Sequence, residues 1–385
     1  MTTAIEKPMT AEDVLERARE LAPGIAARAA EIEAARRVPR DMLDELVGAG
    51  CFRVLLSPAV GGLGVDLPSA MKVFETLARA DASVGWTVMI GAGAWVDISG
   101  LPRASFESLY AGGPDVIVAG GINPSGSIAP VDDGYRVTGR WGFASGCEHA
   151  DWLLGNCMEI VDGAPQPRIA VFAPDQVVIE DTWTVSGMSG TGSHHFRVED
   201  VVVPADRTIP LMTAEPCIDD PIVRIPPPAL LSLVLSSVAI GAAQGALDDV
   251  VGLAADKVPL FAAGPLAANP SFHLDLAEAD TTIRAARALL YETAEGAWGT
   301  ASSGTFSMEE RARIRAAGVW ATDAAARVVT AAFRLGGGGA IYTDSPLQRR
   351  LRDVHALKQH FILRRDTLTT AGAILAGQDV EVMIF

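Results

Sequence analysis

Gly139-Arg140-Trp141-Gly142-Phe143-Ala144-Ser145-Gly146-Cys147-Glu148-His149-Ala150-Asp151-Trp152 joins two short β-forming runs, Tyr135-Arg136-Val137-Thr138 and Trp152-Leu153-Leu154. Further runs lie on either side: Val116-Ile117-Val118-Ala119, Ile169-Ala170-Val171-Phe172, Val177-Val178-Ile179, Phe196-Arg197-Val198 and Val201-Val202-Val203. Turn signals such as Asp132-Asp133-Gly134 and Ala173-Pro174-Asp175 separate them. Short strands at this spacing predict a small antiparallel barrel or sandwich. On the N-terminal side the pattern is helical. Leu15, Leu21, Ile25 and Ile32 recur among Ala, Glu and Arg, and Met42, Leu43, Leu46 and Val47 fit a second helix that Gly50 ends. On the C-terminal side four long helical segments are predicted, at about 228–257, 272–300, 307–335 and 346–376. Matched lengths with shorter loops make a four-helix bundle. The expected organisation is a helical domain over 1–114, a β domain over 115–225 and a bundle over 226–385, an α+β chain.

Composition narrows the function classes. The chain has 385 residues, a net charge of −16 and 49% hydrophobic residues, which is globular. An acidic chain without basic runs argues against nucleic acid, because duplex binding requires clustered Lys and Arg. Cys51, Cys147, Cys157 and Cys217 are far apart with no C-x-x-C, so a reducing, cytoplasmic setting is expected. The N-terminus has no apolar run of the signal-peptide kind. Residues 225–247 carry no charge and are long enough to span a bilayer. They open on Pro226-Pro227-Pro228 and lack flanking Lys and aromatic anchors, so a helix buried in the bundle is expected, with no membrane partner.

Several catalytic signatures are missing. Gly187-Met188-Ser189-Gly190-Thr191 fails the last position of a hydrolase elbow. Gly336 to Gly339 follow a helix rather than a strand, so they form no dinucleotide turn. His194 and His195 alternate faces in a strand-like run, and His355 and His360 stand about 140° apart on one predicted helix. No metal site is expected.

Three ordered clusters remain: the opening stretch; Trp183-Thr184-Val185-Ser186-Gly187-Met188-Ser189-Gly190-Thr191-Gly192-Ser193; and Gly336 to Gly339 with Pro346-Leu347-Gln348-Arg349 and Arg352-Asp353-Val354-His355. Together they resemble the acyl-CoA dehydrogenase superfamily over nearly the whole chain. Where the dehydrogenases carry W-x-T-N-G, this chain has W-x-F-x-S-G at Trp141 to Gly146. With Asp81-Ala82-Ser83-Val84-Gly85-Trp86 upstream, this form resembles the oxygenase components of two-component flavin-dependent monooxygenases. A dehydrogenase needs a carboxylate base. The positions matching the two family locations for it hold Phe361 and Ser232.

The resemblance implies reduced FMN or FAD delivered by a separate NAD(P)H-flavin reductase, O2 as co-substrate, and hydroxylation of an aromatic, phenolic or polycyclic substrate through a flavin C4a-hydroperoxide in a dry cavity. It places Ser145 beside flavin N5 and His360 on the substrate side, as the two catalytic residues. Cofactor contacts are implied for Trp86, Asn123, Pro124, Trp141, Phe143, Ala144, Ser145, Lys257, Gly337, Gly338, Gln359 and His360. His360 would deprotonate a phenol or donate a hydrogen bond, and burial could move its pKa by more than a unit, so the rate is to be followed across pH 6–9. A homotetramer is expected, because residues 225–247 and the glycine turn offer more surface than one bundle buries. The alternatives are a dehydrogenase with a displaced base, Glu148 or Asp366, and a flavin-free binding protein on the same fold.

Overall fold

The computed structural model describes residues 9–380. The chain begins with helices α1 (Ala11–Ala27), α2 (Ala29–Ala35), α3 (Arg40–Gly48), α4 (Leu67–Ala80), α5 (Ala82–Gly93), α6 (Trp95–Ile98) and α7 (Arg103–Leu109). Local chemistry sets their starts. The Thr10 hydroxyl accepts from the Asp13 amide while the Asp13 carboxylate accepts from the Thr10 amide, closing both ends of a capping box. The Asp81 carboxylate receives the Ser83 and Val84 amides at 2.9 and 3.1 Å and so fixes where α5 begins.

Strands β1 (Val118–Val131), β2 (Gly134–Trp141), β3 (Trp152–Val161), β4 (Ala164–Phe172), β5 (Val178–Glu180), β6 (His195–Val203) and β7 (Thr208–Pro210) form one sheet in the order β5-β6-β2-β1-β3-β4-β7. The sheet is mixed, which corrects the antiparallel expectation: β1 and β3 run parallel. After β2 turns back on β1, the segment 142–151 carries the chain across so that β3 starts level with β1. Phe172 on β4 and Phe196 on β6 are separated by β2, β1 and β3, roughly 19 Å across a flat sheet. Their rings are 6.3 Å apart, so the sheet curls over itself.

Trp141 fills the interior of that curl. Its ring stacks on Phe196 at 4.9 Å, meets Phe172 at 5.7 Å, and donates from Nε1 to the Asn156 carbonyl at 2.7 Å. Four glycines make the space. A Cβ on Gly121, Gly126, Gly139 or Gly155 would stand 2.4–2.7 Å from an atom of the Trp141 side chain. The expectation that Trp141 lines the cofactor is therefore corrected. It shares strand parity with Val137, which is also fully buried, and points into the β-domain core.

The C-terminal part holds α8 (Pro221–Arg224), α9 (Pro227–Asp256), α10 (Pro270–Ser303), α11 (Met308–Gly336), α12 (Pro346–Leu357) and α13 (Asp366–Leu375). Among the described residues α9 alone is long and apolar enough to cross a membrane. It is enclosed by α4, α10, α11 and α12 as the central helix of the bundle. The last expected helix is broken: α12 stops at Leu357 and α13 starts at Asp366. One buried carboxylate clasps both sides of the break, Asp323 on α11, with Lys358 Nζ at 2.5 Å and Arg365 Nη1 at 2.6 Å. Arg315 on α11 donates to the Ile362 carbonyl at 3.0 Å. His355 and His360 thus lie on different elements, not on one helix.

Candidate functional site

The chain leaves β2 at Trp141 and turns sharply. Phe143 adopts a left-handed backbone (φ 61°), a conformation that costs a bulky residue energy and so points to a constrained place. Its ring is 72% exposed and stands edge-on to Trp183 at 5.9 Å. Two residues on, Ser145 is buried. The turn is stitched to the 188–193 loop: the Ala144 amide donates to the His194 carbonyl at 3.2 Å and the Gly146 amide to the Thr191 carbonyl at 2.9 Å.

Ser145 Oγ is the meeting point of the site. Trp86 on α5 donates to it from Nε1 at 2.9 Å. Ser193 Oγ lies 2.8 Å from it, and Thr191 Oγ1 lies 2.6 Å from Ser193 Oγ. Thr191 Oγ1 in turn donates to the Met188 carbonyl at 2.8 Å. The Trp86 indole also meets the His360 ring, with centroids 5.7 Å apart and planes at 64°. The fold therefore brings Trp86, Ser145 and His360 together from three separate parts of the chain.

His360 opens the turn between α12 and α13. Its Nδ1 accepts from the Ile362 amide at 3.3 Å, which leaves the proton of the neutral ring on Nε2. Burial pushes the imidazole down to about 4, and the Arg315 guanidinium acts in the same direction. At neutral pH the ring is uncharged and presents an N–H donor. Of the two roles expected for it, the geometry supports donation over proton abstraction. Burial and Arg315 thus move the ring by more than a unit, as expected, and place its titration below pH 6. Phe361 stacks on His360 at 4.9 Å.

The loop carrying Thr191 and Ser193 is anchored from α12. The Met188 amide donates to Asp353 Oδ1 at 2.6 Å. Burial raises the Asp353 carboxyl to about 7, with Asp81 adding repulsion. Arg352 reaches Glu33 and the Ser186 carbonyl. Gly187 permits this contact, since a Cβ there would lie 2.3 Å from the Arg352 carbonyl oxygen.

The remaining expected residues fall in three places. Asn123 and Pro124 sit on an exposed bulge of β1, where the register with β3 shifts between Gly121 and Gly126. Ala144 is fully buried beneath the turn, and Gln359 is exposed beside His360. Lys257 Nζ donates to the carbonyl of Gly336, and it stands 3.4 Å from where a Cβ on Gly337 or Gly339 would be. Its ammonium caps the chain's own glycine turn with one of its three donors, and Gly337 and Gly338 are exposed. Among the described residues neither candidate base contacts Ser145 or His360. Glu148 pairs with Arg37 at 3.0 Å and also lies 3.7 Å from His194 Nε2, and Asp366 pairs with Arg364 at 2.5 Å on the surface. Ser232 is fully buried inside the bundle. Among the described residues no three His, Cys, Asp or Glu side chains converge as a metal site would require. Trp183, Thr191 and Ser193 belong to the site although only their motif stood out in the sequence; the T-x-S spacing was the available signal.

These residues fit a flavin. The exposed Phe143 ring offers an apolar face two residues from the buried Ser145 hydroxyl, which Trp86 holds from behind.

The family models for the acyl-CoA dehydrogenase N-terminal domain and C-terminal domain match residues 9–99 and 233–365. Indole-3-acetate monooxygenase of Pseudomonas putida is 34% identical over 91% of this chain and 90% of its own length. The FADH2-dependent resorcinol hydroxylase, oxygenase component, of Rhizobium sp. (strain MTP-10005) is 29% identical over 89% of this chain and 88% of its own. The crystal structure of 3-HSA hydroxylase from Rhodococcus sp. RHA1 matches with a TM-score of 0.91 and 28% identity, over 97% of this chain and 99% of that one.

Proposed function

The chain belongs to the acyl-CoA dehydrogenase superfamily, in the branch of flavin-dependent monooxygenases, and we propose that it is the oxygenase component of a two-component system that hydroxylates an aromatic substrate. One observation carries this reading. Trp86, Ser145 and His360 converge and, among the described residues, none of the three pairs with an Asp or Glu, while Phe361 and Ser232 hold the positions that match the two places of the dehydrogenase base. Bound there, reduced FMN or FAD would supply the two electrons by which one oxygen atom of O2 enters the substrate and the other leaves as water.

The protein's part is to bind, orient and keep water out. Phe143 would offer a face to the flavin ring, with Asn123 and Pro124 as further contacts. The Ser145 hydroxyl would hold the flavin at N5. The neutral His360 ring presents Nε2–H on the substrate side and donates to oxygen there. The buried apolar residues of α5, the helix that carries Trp86, would keep bulk water from the site. The reduced flavin comes from a separate NAD(P)H-flavin reductase. Four free cysteines agree with a reducing, cytoplasmic setting. The exposed side chains of Leu260, Phe261, Ile341 and Tyr342 favour a homotetramer built through the bundle.

The relative named indole-3-acetate monooxygenase makes indole-3-acetate the first substrate to assay, followed by simple phenols. The purified chain is mixed anaerobically with chemically reduced FMN or FAD, then with O2 and the aromatic. The expected product carries one added oxygen atom, identified by mass. Oxidation of an acyl-CoA with an artificial electron acceptor, and no aromatic product, would overturn the assignment.

A further inference from the structure

The distances behind Ser145 favour one direction for its hydrogen bonds, with the Met188 carbonyl accepting from Thr191 Oγ1 as well as from Trp183 Nε1 at 3.1 Å and the Thr191 amide at 3.2 Å. Each hydroxyl owns one proton. Thr191 Oγ1 lies 2.8 Å from the Met188 carbonyl, which has none, so the Thr191 proton lies between them. The 2.6 Å contact between Thr191 and Ser193 must then be bridged by the Ser193 proton. That leaves the 2.8 Å contact between Ser193 and Ser145 to the Ser145 proton. Trp86 Nε1–H, a donor only, occupies one lone pair of Ser145 Oγ. Ser145 retains one unused lone pair and no free proton. All three hydroxyls are buried, so no solvent proton relaxes the arrangement.

Resting on the flavin site proposed above, we propose that Thr191 and Ser193 are positioning residues that fix Ser145 as a hydrogen-bond acceptor, and that the site thereby selects reduced flavin over oxidised flavin. Reduced flavin carries N5–H and can donate to that lone pair. Oxidised flavin has only a lone pair at N5, which opposes the lone pair of Ser145. Exchanging one donor–acceptor match for a mismatch is worth roughly 3- to 10-fold in affinity.

Thr191→Val tests this with little change of volume. Without the Thr191 hydroxyl, the Ser193 proton is released to turn toward Ser145, and the Ser145 proton is released toward N5. The measurement is anaerobic equilibrium titration of the full-length protein with oxidised and with reduced FMN and FAD, followed by fluorescence and calorimetry. For the wild type, reduced flavin binds more tightly. In Thr191→Val the ratio falls roughly 3- to 10-fold, chiefly because oxidised flavin binds better, while Thr191→Ser keeps the wild-type ratio. Ser193→Ala provides a second route, because it removes the acceptor of the Ser145 proton directly; it covers the case of a Thr191→Val protein that does not fold. Equal weakening of both redox states, or an unchanged ratio in both variants, would overturn the relay while leaving the flavin site standing. A wild-type protein that binds neither form of either flavin would overturn the site and the relay together.

Discussion

Gly187→Ala adds a single methyl group at the joint between the 188–193 loop and α12, and its cost can be worked from the structure. The new Cβ would stand 2.3 Å from the Arg352 carbonyl oxygen and 2.8 Å from the Asp353 amide nitrogen, both backbone atoms that cannot rotate away. The backbone φ at Gly187 is not in the left-handed region, so the penalty is steric and not conformational. Loop and helix must separate by about 1 Å. Overpacking of this kind costs about 1–3 kcal/mol. The same separation stretches the 2.6 Å bond from the Met188 amide to Asp353 beyond hydrogen-bond range, leaving a buried carboxyl short of a donor, for another 1–3 kcal/mol or so. The expected total is roughly 2–6 kcal/mol, or a fall in Tm of roughly 4–12 °C at about 2 °C per kcal/mol. Thermal unfolding followed by circular dichroism measures it. Gly296→Ala, mid-helix in α10 with no heavy atom within 4 Å of its Cβ, is the control and should stabilise slightly through helix propensity. A Gly187→Ala protein melting with the wild type would refute the claim that this contact holds the loop.

Ser145→Ala should raise hydrogen peroxide released per flavin oxidised, with or without aromatic substrate, as a coupled peroxide assay would read. His360→Ala should slow hydroxylation about 10-fold, the worth of one hydrogen bond, whereas His360→Gln keeps a donor and should lose less; equal losses would remove the donor role. The His360 pKa is lowered to about 4 from an ordinary value near 6.5, so the folded state favours the neutral ring. Its contribution to stability is full above about pH 6.5 and is lost as pH falls toward 4. Wild-type Tm should therefore drop more between pH 7.5 and 4.5 than that of His360→Gln, and the hydroxylation rate should show no His360 titration between pH 6 and 9. Phe361→Glu should give no acyl-CoA oxidation with an artificial acceptor, because a carboxylate alone supplies no thioester pocket; measurable turnover would reopen the dehydrogenase assignment.

The domain order was legible because hydrophobic periodicity changes sharply near residues 115 and 226. Three of the four bundle helices fall within three residues of their expected ends, since Ser302-Ser303-Gly304 and the glycines after Leu335 are strong breakers. The break at 358–365 was invisible for the opposite reason. It contains neither Pro nor Gly and is imposed from α11, where Asp323 draws in Lys358 and Arg365. Trp86, Ser145 and His360 were reachable through their motifs. The donors and acceptors joining them were not, because hydrogen-bond direction depends on distances between segments far apart in the chain. Trp141 shows a signal present but overridden: strand alternation already placed it on the side of Val137, facing inward.

The indole seated among Gly121, Gly126, Gly139 and Gly155 also constrains how such a sequence can drift. Any one glycine can gain a side chain only if the tryptophan shrinks, and a smaller ring leaves a void that no single glycine change fills. Five positions on three strands therefore behave as one inherited character. Single-step mutational paths away from it run through destabilised intermediates, so the β-domain interior should persist among descendants long after the exposed turn at Phe143 has diversified.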